Sequence, residues 1–258
     1  MRILIRFLGL VTVITTFLII NGDSLAARGW LLRSLCEDPR LYCITVKKGE
    51  SWQSMFTDPA ERDLVMRINR MNTHPLPGMR IAIPKDLSGS DSMEYAPFPT
   101  YRVSTGKKII VYSPSLNAWA AYGPAGNIIR WGPASSGQNW CSDLGRPCLT
   151  PSGTFKVYEK RGLGCISSKF PKPNGGAPMP YCMFFKGGFA MHASNAVLGY
   201  NSSHGCLRMF FEDAQWLNLN FVDIGTQVVI LPYPLNRYTD LGDEDDADND
   251  YNDDQNGN

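Results

Sequence analysis

The placement of cysteines is the feature that most limits what this chain can fold into. Seven cysteines lie in 258 residues. The chain opens with a basic start (Arg2, Arg6), an apolar run from Phe7 to Ile20 and a small-residue site Ser24-Leu25-Ala26. That is the layout of a secretory signal peptide, residues 1–26, cleaved after Ala26. The run is short for a bilayer of about 30 Å, and no second apolar run follows, so no stable membrane span is expected after cleavage. Export, to the periplasm or cell envelope or as a secreted protein, takes the chain to where disulfides persist. Cys36 with Cys43, and Cys141 with Cys148, are near neighbours flanked by turn residues and read as two disulfide-closed loops. Cys165 with Cys182 makes a third pair. Each bridge contributes roughly 2–3 kcal/mol by restricting the unfolded chain. Six cysteines allow about fifteen pairings, so these rest on proximity, and a Cys182–Cys206 bridge stays open. An odd number leaves one thiol over.

Composition decides the class. Twenty-four Gly and 18 Pro favour short strands and many turns, and 43% hydrophobic residues against 19% charged supply a core. The net charge of +1 conceals a segregation. No Lys or Arg follows Arg237, whereas nine acids lie between Asp240 and Asp254. Residues 27–239 carry 23 basic and 14 acidic side chains, a net of +9. A basic exported body suits an anionic polymer, and nucleic acid is not expected as a partner. The acidic stretch 236–258 has too little apolar surface to bury and is expected to be a disordered tail. It also lacks the spacing of a calcium loop.

The chain divides near residue 86. Leu41 to Val46 alternates as a strand. Asp58-Pro59-Ala60-Glu61 then supplies an N-cap, a proline at the first helical position and an acid three residues after the cap. Leu64, Val65, Ile68 and Met71 follow at helical spacing, and Met79 to Pro84 reads as a second strand. With a short helix over Glu50–Phe56, the unit is βααβ. Residues 87–99, with Ser88, Gly89, Ser90, Pro97 and Pro99, read as a linker. Strand signals then recur at 108–112, 119–122, 127–131, 154–158, 183–185, 189–192 and 226–231, with one convincing helix from about Phe211 to Asn218. The expected fold is mainly β.

Chemistry concentrates late in the chain. Of three histidines, His192 and His204 precede Cys206 within one short stretch. A thiol becomes a strong nucleophile when an imidazole takes its proton, and an adjacent Gly205 lets backbone amides approach a developing oxyanion. Cys206 is then the candidate for the unpaired cysteine. A metal held by His192, His204 and Cys206 is the competing reading, although a fourth ligand is missing nearby.

Two resemblances extend this reading. Val46-Lys47-Lys48-Gly49-Glu50-Ser51, Arg67-Ile68-Asn69 and Pro77-Gly78-Met79-Arg80-Ile81-Ala82-Ile83-Pro84 resemble the start, middle and end of a LysM module. That implies a glycan-binding unit over 27–86, with its N-terminal loop closed by Cys36 and Cys43. Ser203-His204-Gly205-Cys206-Leu207-Arg208 resembles the signature of the L,D-transpeptidase catalytic family. Thr150-Pro151-Ser152-Gly153-Thr154-Phe155, Met179-Pro180-Tyr181 and Gly188 to His192 resemble its upstream turn and strand.

The second resemblance implies a β-sandwich catalytic domain over 100–235 that needs no cofactor or metal. It implies Cys206 as nucleophile, His192 as general base with the Ala193 carbonyl orienting the ring, and His204 and Gly205 as oxyanion-region amides. Arg208 would hold a substrate carboxylate or fix the nucleophile's loop, with Ser203, Tyr181 and Ala193 also on the substrate side and Ser203 mainly structural. The implied partners are peptidoglycan tetrapeptide stems and glycan. The acyl group would pass to an amine of another stem, an envelope-protein lysine or a D-amino acid, or to water in a carboxypeptidase. A non-catalytic envelope-binding protein is the alternative from a different class. Alkylation of the non-reduced mature protein, followed by peptide mapping, should label Cys206 alone; a label on Cys165 or Cys182 refutes this pairing.

Overall fold

The computed structural model describes residues 22–234. Most of the expected signal peptide and the whole acidic stretch 236–258 lie outside the described residues. Helix α1 (Gly22–Glu37) replaces the turn-rich start expected ahead of the first strand and runs through the expected cleavage position. The Cys36–Cys43 disulfide ties it to β1 (Leu41–Thr45). Then come α2 (Trp52–Met55), α3 (Pro59–Ile68) and β2 (Arg80–Pro84), the βααβ order read from the sequence.

Local chemistry starts α3 where expected. Asp58 Oδ1 accepts the amides of Ala60 at 2.8 Å and Glu61 at 2.9 Å, two of the donors that a helix start leaves without partners. Strands β1 and β2 pair antiparallel, over a core of Val46, Trp52, Phe56, Val65, Met71, Ile81 and Ile83. Buried Asn69 joins helix to strand. Its Nδ2 donates to Val65 O at 2.8 Å and Ala82 O at 2.7 Å, and its Oδ1 accepts the Ala82 amide at 2.8 Å.

The stretch expected as a linker is a packed strap. A single 3-10 turn (Ser92–Tyr95) is capped by Asp91, and Phe98 is buried with Met93, Tyr95 and Ala96 against the following sheet. Trp131 Nε1 donates to Ser92 O at 2.7 Å. The Pro, Ser and Gly content signals irregular backbone; the interspersed apolar side chains decide that it packs.

The remaining strands are β3 (Ile109–Ser113), β4 (Ala118–Tyr122), β5 (Ile128–Ser135), β6 (Gly153–Lys156), β7 (Glu159–Lys160), β8 (Met183–Lys186), β9 (Phe189–Ala193), β10 (Leu207–Met209) and β11 (Gln227–Ile230). Helix α4 (Phe211–Trp216) follows β10 and continues into a π-helical turn, Leu217–Phe221, near the end foreseen for it. In place of two separate sandwiched sheets, one nine-stranded sheet runs β6-β11-β3-β4-β5-β10-β9-β8-β7. It curls. Phe155 on edge strand β6 and Phe185 on β8, near the opposite edge, lie 5.6 Å apart between ring centroids. The curl encloses the main core, which includes Ile110, Tyr112, Trp119, Met183, Met191, Leu207, Met209, Leu217 and Val228.

The βααβ unit is docked on this sheet through charge. Asp213 on α4 is fully buried; its carboxylate accepts Arg67 Nη1 from α3 at 2.8 Å and Arg130 Nη2 from β5 at 2.9 Å. Burial alone would depress the Arg67 guanidinium, but the carboxylates of Asp213 and Asp63 more than reverse it. Gly132 makes room, since a Cβ there would lie 2.1 Å from Asp213 Oδ2 and 2.7 Å from Arg67 Nη1. Arg70 completes the joint. It donates to Arg67 O and Ile68 O at the end of α3, reaches Leu116 O at 3.3 Å, and lies over the Trp131 ring. Burial beside Arg67 pushes its guanidinium down to about 9. Asp213→Ala would leave two guanidinium groups without their shared counter-charge, and should lower the unfolding free energy by roughly 3–5 kcal/mol in urea denaturation. Arg130→Ala, at the partly exposed end, should cost clearly less.

Candidate active site

Strands β9 and β10 run parallel, with Leu207 opposite Met191, Arg208 opposite His192 and Met209 opposite Ala193. Side chains alternate between the faces of a sheet, and in-register neighbours share a face. Met191, Ala193, Leu207 and Met209 accordingly enter the main core. His192 and Arg208 take the other face, and so does Cys206, two residues before Arg208. There Cys206 packs beside Ala190, Met179 and the Cys165–Cys182 disulfide. The alternation that builds the core gathers thiol, imidazole and guanidinium on its outer side.

The described cysteines pair as 36–43, 141–148 and 165–182, and Cys206 carries the free thiol. Its Sγ donates to Gly188 O at 3.8 Å. Burial pushes the thiol up, opposed by a hydrogen bond from the Ala190 backbone and by the charge of Arg208. Buried His192 is pushed down to about 4 by desolvation, its hydrogen bond to the Ala193 backbone opposing and Arg208 adding to the shift. Its Nδ1 lies 2.8 Å from Ala193 O. A carbonyl only accepts, so Nδ1 carries the proton and Nε2 keeps its lone pair. At neutral pH the pair is an un-ionised thiol and a neutral base. Arg208 has no ion-pair partner among the described residues, and burial depresses its guanidinium. An uncompensated, half-buried cation next to a thiol suits an anionic group on a substrate.

The loop that presents Cys206 is held by hydroxyls. Buried Ser203 accepts the Gly205 amide at 3.0 Å and donates to Cys206 O at 2.6 Å. Thr150 Oγ1 donates to Gly205 O at 2.6 Å and accepts the Gly137 amide at 3.1 Å. The Thr150 amide donates to Tyr233 Oη at 3.0 Å. Gly205 has φ +126°, and a Cβ there would lie 2.5 Å from Phe189 Cε1, so only glycine fits.

Several expectations for this site change. The Gly205 amide, expected to face an oxyanion, is used by Ser203 because the tight turn folds it back on that hydroxyl. The Ser203 hydroxyl is itself spent on the loop and does not face a substrate. Tyr181, expected on the substrate side, is a core residue: its ring packs edge-on against Phe211 at 5.5 Å, and its hydroxyl accepts from Gln215 at 3.0 Å. The Ala193 side chain also points into the core, and only its carbonyl serves the site. His204 turns outward, its Nε2 2.9 Å from Asp143 Oδ2 and its ring 4.7 Å from that of Phe170. The metal reading loses its ligand set. Among the described residues, the groups that converge are Cys141, Asp143 and His204, and Cys141 is bound in a disulfide. Thr150 lay inside a quoted motif without an assigned role. Tyr233 and Asp143 carry no local signal, because their partners are far away in the chain.

Residues 106–230 match the family model of YkuD, the L,D-transpeptidase catalytic domain. A search of curated proteins found no match. Among solved structures, the chain resembles an L,D-transpeptidase from Xylanimonas cellulosilytica DSM 15894 at 27% identity and a TM-score of 0.45, over 55% of this chain and 70% of that one. It resembles an L,D-transpeptidase from Mycobacterium smegmatis at 20% identity and a TM-score of 0.41, over 49% and 59%. L,D-transpeptidase 3 from Mycobacterium tuberculosis, in complex with a faropenem-derived adduct, aligns at 25% identity and a TM-score of 0.40, over 48% and 60%. This chain thus spans about three-fifths of the two mycobacterial chains.

The depressed imidazole has a consequence for stability. The unfolded chain takes up a proton at His192 below about 6.5, while the folded chain resists until about 4. The contribution is complete above the unfolded value and is lost as pH falls through that window, at a cost of roughly 3 kcal/mol. Between pH 7 and pH 4, wild type should lose about that much more stability in urea than His192→Gln. Equal losses would contradict a depressed imidazole.

Proposed function

We propose that this chain is an exported L,D-transpeptidase-type enzyme that acts on peptidoglycan stem peptides through Cys206. The observation that carries the reading is the shared sheet face of Cys206, His192 and Arg208 inside the segment matching the L,D-transpeptidase catalytic domain. The signal-peptide layout and the net +9 body agree with an anionic envelope polymer as substrate.

The mechanism follows from the protonation states. His192 Nε2 takes the thiol proton as sulfur attacks the carbonyl carbon of the stem's third residue, a diamino acid linked to terminal D-Ala. Because the resting pair is neutral, proton transfer accompanies attack instead of preceding it. With the Gly205 amide engaged, the His204 and Cys206 amides are the donors for the oxyanion. The imidazolium returns its proton to the departing D-Ala amine, which leaves a thioester. An acceptor amine then gives its proton to His192, attacks the thioester and expels sulfur. Arg208 pairs with a stem carboxylate and draws it to the nucleophile. The acceptor is an amine of a second stem, an envelope-protein lysine or a D-amino acid.

The βααβ unit is read as LysM-like and as the glycan contact, with the end of α3 given over to the docking joint. The enzyme then holds a strand and reacts with its stem as one body.

Intact-mass spectrometry after incubation with disaccharide tetrapeptide should show an acyl adduct on Cys206 with release of D-Ala, discharged by added amines. Cys206→Ala should fold normally and form no adduct, and His192→Ala should acylate at least a hundredfold more slowly. Turnover by Cys206→Ala would overturn the proposed nucleophile, and discharge by water alone would make the enzyme a carboxypeptidase.

A further inference from the structure

The βααβ unit touches the catalytic face at one further place. Asn72, just beyond the end of α3, brackets the turn that follows His192. Its Nδ2 donates to Ser194 O at 2.8 Å, its Oδ1 accepts the Val197 amide at 3.0 Å, and its own backbone amide donates to Val197 O at 3.1 Å. A bridge between Met71 and Leu198 extends the contact. These partners lie more than a hundred residues apart in sequence and belong to different units of the fold.

The bracketed turn orients the imidazole. The Ala193–Ser194 peptide supplies the carbonyl that faces His192 Nδ1 at 2.8 Å, and its amide end donates to Met209 O at 2.9 Å on β10. The next carbonyl along, Ser194 O, is the one Asn72 holds. The Ala193–Ser194 peptide is thus fixed by the strand that continues from Cys206, and the Ser194–Asn195 peptide that follows it is fixed by a side chain from the N-terminal unit. Without Asn72 the following peptide is released, the turn can draw the Ser194 amide off Met209 O, and the Ala193–Ser194 plane can then rotate its carbonyl away from the ring. A neutral imidazole that loses this acceptor no longer prefers the proton on Nδ1, and the tautomer with the proton on Nε2 is not a base toward the thiol.

We propose that Asn72 is a positioning residue: the N-terminal unit reaches across the joint to hold the Ser194–Asn195 peptide and the turn beyond it, which keeps the adjoining Ala193 carbonyl on His192 Nδ1 and so the tautomer that leaves Nε2 free. This rests on the reading of His192 as general base, and it assigns the βααβ unit a part in the chemistry separate from any glycan contact. The side-chain type is specific. An amide offers a donor to Ser194 O and an acceptor to the Val197 amide at once, whereas a carboxylate of the same shape places an oxygen against the Ser194 carbonyl.

The test compares Asn72→Asp and Asn72→Ala with wild type in the full mature protein. Nitrogen-15 NMR of the histidine rings reads the tautomer without any substrate, and steady-state kinetics on tetrapeptide stems read kcat and KM separately. Wild type should show His192 protonated on Nδ1. Both variants should shift it toward the Nε2-protonated form, with kcat lower by roughly tenfold to a hundredfold and KM nearly unchanged. Unchanged tautomer and kcat with only a lower melting temperature would overturn the proposal, because Asn72 would then be joining two units and nothing more. If wild type itself turns over no stem, the transpeptidase reading fails, and the NMR comparison still decides whether Asn72 sets the tautomer.

Discussion

The carboxylate of Asp213, shut away from solvent between Arg67 and Arg130, is the interaction on which the rest of the molecule depends. It joins three elements that share no local sequence: α3 of the N-terminal unit, β5 in the middle of the curled sheet, and α4. Because α4 begins directly after β10, anchoring it also anchors the strand that carries Leu207 and Arg208. A buried ion pair of this kind adds little net stability over an apolar contact of the same shape, but removing one member is costly. The same cost also disfavours any arrangement in which the two units slide past each other.

From that anchored strand the site is built by sheet geometry. Parallel pairing of β9 with β10 fixes which residues face outward, and the alternation that places Met191, Leu207 and Met209 in the core places His192, Arg208 and the neighbouring Cys206 outside it. Hydroxyls of Ser203 and Thr150 then fold the loop onto itself, which uses the Gly205 amide and leaves a tight turn that only glycine can make. Burial raises the thiol and lowers the imidazole, so both rest without charge. Charge would then appear during reaction beside Arg208, which has no ion-pair partner among the described residues and is partly buried, so that its field is less screened than at an open surface.

Much of this was legible in the residues. Asp58 as a helix cap, the longer alternating strands and the two cysteine pairs seven residues apart all express local physics, in which neighbours a few positions apart decide the outcome. The clustering of His192, His204 and Cys206 pointed to nucleophilic chemistry before any fold was known. Other features were not legible. Strands β7 and β10 have two and three residues, too few to show a period. The strap over 87–99 has the composition of a linker and packs because Phe98 and its neighbours find a sheet to cover. Tyr181 sits in a motif near the site, yet its ring is drawn into the core, where Gln215 satisfies the hydroxyl.

By itself, then, the sequence determined the mainly β class of fold, the starts of α3 and α4, that one thiol is left over and the residue types available for acyl-transfer chemistry. Those depend on backbone preferences and short-range spacing, which any window of the chain already contains. Only the tertiary structure decided that the Gly205 amide is engaged by Ser203, that the imidazole rests uncharged, and that Arg67, Arg70 and Asn72 of the N-terminal unit reach the nine-stranded sheet and the turn after β9. These follow from desolvation and from hydrogen bonds between residues as far apart as the 146 positions that separate Arg67 from Asp213. Neither exists until the chain has closed on itself.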